Sequence, residues 1–284
     1  MRVNHIAVLR RLIRHAVTGT AVCLGLFLSL VLWSTINVLL LDDRAASALL
    51  PTPAALTETF RQTVFGSTDW RVSSLRGIRR WQGQLNMSIV EESDGKYLRI
   101  VEQAAAEASR LTGLPSATLA GRDGSETLEL HFVSGDKLAA TAVKLRGESP
   151  GLVWSAQRAA CLSGWLDADN RRQSRGYNLI TTDYEEREIE HCIFHELGHS
   201  LGMVGHIRTV PSVMRARSYR VRSFTLADKI LLRTIYDPRL RDDMWADEAM
   251  PIARTIIDEL VAAYRAHGEA ALTHPRHRPA SAGR

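Results

Sequence analysis

The run His195-Glu196-Leu197-Gly198-His199-Ser200-Leu201-Gly202 sets two imidazoles four residues apart with a carboxylate between them. On a helix, positions four apart share a face about one turn apart, so His195 and His199 can grip a single metal ion. Neutral imidazole suits zinc, whose catalytic sites take three protein ligands and leave the fourth position to water. Glu196 follows the first ligand directly, which sets its carboxylate beside that water rather than on the metal, where it acts as general base. Zinc brings the pKa of bound water to roughly 7, so the chemistry is available at neutral pH. The rival reading is a helix that carries two histidines on a polar face and binds nothing. Gly202 falls where a helix ends in a left-handed turn that glycine enters cheaply. His206 and Ser212-Val213-Met214 come next.

From His195 to Met214 the sequence resembles the metzincin clan of zinc peptidases, whose pattern is H-E-x-x-H-x-x-G-x-x-H followed by a Met-turn of the S-x-M kind. The resemblance implies that His195 and His199 are zinc ligands and Glu196 is the base. It makes Gly202 the turn that sends the chain back to the metal, and Met214 a hydrophobic floor. The third ligand departs from the pattern. The place three residues after the glycine is Gly205, and the histidine stands one place later, at His206. We take His206 as the third ligand, with Gly205 absorbing the slip. No tyrosine stands two residues after Met214, and Tyr219 is read as a packing residue. Farther on, Phe224 to Arg233 runs into Tyr236-Asp237-Pro238-Arg239-Leu240. This stretch resembles the end of a bacterial family of uncharacterised proteins, the domain of unknown function 2927. That second resemblance implies a zincin-like domain exported by a Gram-negative bacterium, and no particular substrate.

Other candidate ligands fail on spacing or have simpler roles. Cys192 lies seven residues before His199, about 10 Å along a helix axis and too far to share one ion. His191 fails the same test and is expected in a supporting or surface role. Asp228 stands three residues after Thr225, where a helix start wants an acid in a capping box. His131 alternates to the polar side of its strand and is expected to be exposed. Of the three cysteines, Cys23 sits in an apolar run, and Cys161 and Cys192 pair if the domain lies outside the cytoplasm. The alternative for those two is a pair of buried free thiols.

These residues need a scaffold, and the chain is long enough to build one. With 284 residues, 45% hydrophobic and 24% charged, it accommodates one good-sized domain plus appendages. The net charge of +5 gathers largely in the extreme N-terminus and the C-terminal tail, and aromatics are only 6%. With no basic-aromatic alternation, nothing argues for a nucleic-acid partner. Residues 1–15 read as a basic cytoplasmic segment with Arg2, Arg10, Arg11 and Arg14. Residues 16–41 are free of charge and long enough to span a bilayer as a signal-anchor, with Asp42 and Asp43 on the far side. The anchor would be the protein's membrane contact, holding it in the cell inner membrane with the domain on the periplasmic or extracellular side. Ala46-Ser47-Ala48 has a small-x-small form, so cleavage at Ala48 would instead release a secreted domain.

Residues 42–75 read as a stalk or linker, with a short helix around Ala54 to Val64, and 76–268 as the domain. Within it, Trp81 to Val90 and Thr127 to Val133 alternate like half-buried strands, and Gly95 to Leu111 has helical period. A third strand is expected within Leu152 to Leu166 and a fourth over Tyr177 to Thr181. Asp183 with Glu186 is the acidic start of the helix that carries His195. A final helix is expected over Ala246 to His267, followed by a disordered tail, 269–284. The expected fold class is α+β. The resemblance makes it a zincin-like, metzincin-type domain with a mixed sheet, an active-site helix and a C-terminal helical part. It also makes the strand containing Cys161 the cleft-side edge, tied to the active-site helix if Cys161 and Cys192 pair. The expected function is a membrane-anchored, zinc-dependent (Zn2+) endopeptidase acting on a protein or peptide substrate. The alternatives are a catalytically inactive zincin-fold scaffold of the cell envelope and a zinc hydrolase of other amide bonds.

Overall fold

The computed structural model describes residues 48–66, 77–90, 95–118, 127–166, 174–215 and 221–275. The expected span 16–41, Tyr219 and Cys23 lie outside the described residues. No described helix is long and apolar enough to cross a membrane.

A five-stranded sheet organises the domain. Its strands are β1 (Leu85–Ile89), β2 (Ser116–Thr118), β3 (Thr127–Val133), β4 (Cys161–Trp165) and β5 (Arg175–Thr181), in the order β2-β1-β3-β5-β4. The pairs β1/β2, β1/β3 and β3/β5 are parallel, and β4 runs antiparallel to β5 at the edge. The fold is therefore mixed α+β around a mixed sheet. Parallel neighbours need crossovers, and helices supply them. Helix α2 (Leu98–Thr112) buries the stripe Ile100, Val101, Ala104, Ala105 and Ala108, and ends at Gly113 in the left-handed conformation. Helix α5 (Glu186–Ser200) lies against β4 and β5. The other sheet face is covered by α3 (Gly135–Arg146) and α4 (Pro150–Ala156), where Leu138, Ala142 and Ala156 pack with Tyr177 and Leu179. On the C-terminal side, α6 (Leu226–Ile235) and α7 (Ala246–His267) complete the main core.

Several expectations need correcting. The short helix expected around Ala54 to Val64 is present as α1 (Pro53–Phe65), capped by the Thr52 side chain, but it is not a stalk. Leu56, Phe60 and Val64 are buried in the main core and α1 packs on α7. Its apolar side is covered by an element about two hundred residues later, so local sequence pattern does not reveal the partner. The strand expected within Leu152 to Leu166 is β4, at the end of that stretch, while Pro150 starts helix α4 behind the Ser149 cap, a helix not expected there. Asp183 does not cap α5. That role falls to the capping box of Glu185 and Glu188, while Asp183 accepts from the Gly135 N–H at the start of α3 at 2.9 Å. The tail is ordered through residue 275, with Leu272 fully buried and His274 nearly so. His131 is buried, because strand parity tells the two faces apart but not whether the second face is also covered.

Candidate metal centre and cleft

Helix α5 carries both halves of the motif. The His195 Nδ1 lies 2.7 Å from the Val213 carbonyl, and the His199 Nδ1 lies 2.6 Å from the Met203 carbonyl. A carbonyl only accepts, so each Nδ1 carries the hydrogen. Burial holds both rings below the ordinary histidine pKa and therefore neutral. Each Nε2 is then a bare lone pair, and the two Nε2 atoms face each other at 3.1 Å. Two bare acceptors that close repel unless a proton or cation lies between them. Two ligands each about 2.0–2.1 Å from a tetrahedral ion sit roughly 3.3 Å apart, so the spacing fits a shared metal. His206 joins them, stacked on His195 with ring centroids 5.2 Å apart. Ligand atoms of His195, His199 and His206 all lie within 4.8 Å of one another. His195 is buried, His199 half-buried and His206 exposed, so the cluster opens to solvent on one side.

The loop that brings His206 round is held by close backbone approaches. Gly202 has φ 109°, and a Cβ there would run into the Arg79 carbonyl. Gly205 donates its N–H to the Thr63 carbonyl at 2.8 Å, and a Cβ there would strike the Gln62 carbonyl. Gly205 thus seats the loop on the C-terminal turn of α1, which makes the supposed stalk a support of the histidine cluster. Met214 is fully buried beneath Gly198, where a Cβ would collide with its sulfur. Ser212-Val213-Met214 hangs from Asp228. Its carboxylate accepts from the Ser212 hydroxyl, the Val213 N–H at 2.9 Å and the Thr225 N–H at 2.9 Å. Asp228 also closes the expected capping box of α6. His191 is buried, with Nδ1 2.6 Å from the Val221 carbonyl, and it lines the cleft without joining the cluster.

Glu196 is buried, and that burial pushes its carboxyl up to about 8, with the Ser163 hydroxyl acting against the shift. A cation on the neighbouring imidazoles would pull it back down. Ser163 was missed from sequence. Its signal was its place two residues after Cys161, which puts both on the strand face that looks toward α5. Cys161 and Cys192 are disulfide-bonded, Cα to Cα 5.8 Å, so the edge strand is tied to α5 one turn before Glu196. A cleft of about 500 Å³ runs along β4 and is lined by Cys161 to Trp165, His191, His195, Glu196, His199 and His206.

Fold and site together define an α+β domain with a histidine cluster beside a buried carboxylate, in a cleft at the free edge of a mixed sheet. The chain belongs to the family described as Protein of unknown function (DUF2927), whose model matches residues 53–255. The match starts with α1, in keeping with its place in the core. It includes Tyr236-Asp237-Pro238-Arg239-Leu240, which locks the end of α6 to the entry of the domain. There the Tyr236 hydroxyl accepts from the Trp81 N–H at 3.0 Å, and Arg80 donates to the Ile235 and Leu240 carbonyls at 2.8 and 3.0 Å. No curated protein and no solved structure matches the chain.

Proposed function

We propose that this protein is a zinc-dependent endopeptidase of the zincin type, membrane-anchored through residues 16–41, with its cleft outside the cytoplasm. The observation that carries the reading is the pair of bare Nε2 atoms at 3.1 Å with Glu196 between them in sequence and in the same cleft. His195, His199 and His206 would hold the ion, which when bound supplies Lewis acidity toward a water and the scissile carbonyl. Glu196 takes a proton at its carboxylate and delivers it to the leaving amine. Ser163, on the edge strand, lines the cleft beside that carboxylate and favours its charged form. β4 is last in the sheet order, so an extended peptide has a free edge to pair with through main-chain hydrogen bonds.

The test is a peptide-library digest by the purified full chain in detergent, with zinc content measured by elemental analysis. Glu196→Gln is expected to keep near-equimolar zinc and lose at least about a hundredfold in rate, the scale of a general base. Equal cutting by wild type and Glu196→Gln would sink the reading. A second reading, a non-catalytic binding protein on the same fold, is favoured by the exposure of His206. A well-folded protein that loses its zinc on dialysis selects it.

A further inference from the structure

Two guanidinium groups line the cleft that holds the imidazoles and Glu196. Arg146 ends α3, and Arg158 follows α4 two residues before the lead into β4 at Ala160. Both are exposed, and among the described residues neither is ion-paired. Each has an aromatic neighbour. Arg158 lies over the Trp154 ring at 4.6 Å and donates to the Trp154 carbonyl at 3.4 Å. Arg146 stands beside the hydroxyl of the buried Tyr177, near enough to favour the charged phenol against the cost of burial. That hydroxyl reaches the edge strand because its cross-strand partner is Gly164, and a Cβ there would lie 2.6 Å from it. Glu196 is the only acid among the described residues lining the cleft, against two arginines. The wall opposite α5 is therefore cationic, and a cation on the imidazoles would make the whole cleft more so.

We propose that Arg146 and Arg158 form a carboxylate-binding subsite, and that the cleft takes peptides carrying a carboxylate on the side of α3 and α4. A guanidinium presents a planar fork that matches a carboxylate, and an unpaired fork beside an aromatic neighbour loses little freedom on binding one. The carboxylate is an acidic side chain or a free C-terminus, two sources of one chemistry. The peptide part of this inference rests on the endopeptidase reading, whereas the carboxylate part rests on the arginines.

Binding is measured by fluorescence anisotropy on the full chain carrying Glu196→Gln, in detergent, so that nothing is cut. The probes are short labelled peptides on an Ala-Gly-Leu background, with one Glu scanned along them against Gln, each as free acid and as C-terminal amide. The acidic member of a pair is expected to bind about tenfold more tightly. That ratio should fall to about 1 with R146Q/R158Q and be partly kept with R146K/R158K, the proteins being matched by thermal melts. A preference confined to the Glu/Gln pairs assigns a side chain, and one confined to the acid/amide pairs assigns a terminus. Equal affinities in every pair, no binding at all, or a ratio that survives R146Q/R158Q overturns the subsite. The two readings fail separately. Charge-blind cleavage by the wild type removes the subsite and leaves the peptidase, while acid-selective binding without cleavage does the reverse.

Discussion

His195 and His199 each give an Nδ1 hydrogen to a backbone carbonyl, and those carbonyls, of Val213 and Met203, belong to the two turns that follow the helix. The turns therefore set ring orientation, and a residue that distorts them acts on the site without touching it. Gly202 is the sharpest case, with φ 109° and no room for a Cβ beside Arg79. Gly202→Ala is expected to cost about 1–3 kcal/mol from the backbone conformation, before the clash is added. Urea denaturation reads the loss, and a stability equal to wild type would show that the turn relaxes freely. The two helical histidines, the glutamate and this glycine were legible because a helix converts spacing directly into geometry. His206 was legible only as a residue type. What brings it home is Gly205 lying flat on α1, a contact between segments about 140 residues apart in the chain, which no local pattern encodes.

Helix α6 contributes to the centre from outside it. Asp228 was read from sequence as a helix cap, and it is one, but the same carboxylate also suspends Ser212 and Val213. The second role was hidden because it joins a loop to a helix with a fully buried side chain, where only the cap has a local signature. Asp228→Asn keeps the volume but turns an acceptor into a donor facing N–H and O–H groups. It is expected to destabilise the fold by about 1–3 kcal/mol and to weaken zinc binding about 10–100-fold through the Val213 carbonyl. Chelator competition beside urea denaturation separates the two effects. Lost stability with unchanged zinc affinity would confine Asp228 to capping. Strands β3 and β5 and helices α2 and α7 were visible as periodicity, within a few residues. Helix α4 was not, since seven residues hold too few turns to display a period.

At the largest scale, the described domain is a sheet closed by helices on both faces, with the cleft at the edge where the order ends on an antiparallel strand. Among the described residues β4 pairs on one side only, with β5. The Cys161–Cys192 bond fastens it to α5 instead, and with it Ser163 against Glu196. Closing a loop across a sequence separation of 31 is worth about 3–4 kcal/mol in the chain-entropy view, roughly 10 °C in melting temperature for a domain of this size. An oxidising compartment, such as the proposed exported domain would meet, would keep this bond formed. Reductant should therefore lower the melting temperature of the wild type but leave Cys161→Ser/Cys192→Ser, already lowered, where it is. Peptide cleavage should fall in parallel, because freeing β4 loosens both the binding edge and the Ser163 hydroxyl beside the proposed base. A wild-type melt indifferent to reductant would mean that the bond carries no stability. A melt that shifts while cleavage holds would mean that β4 keeps its place by packing alone.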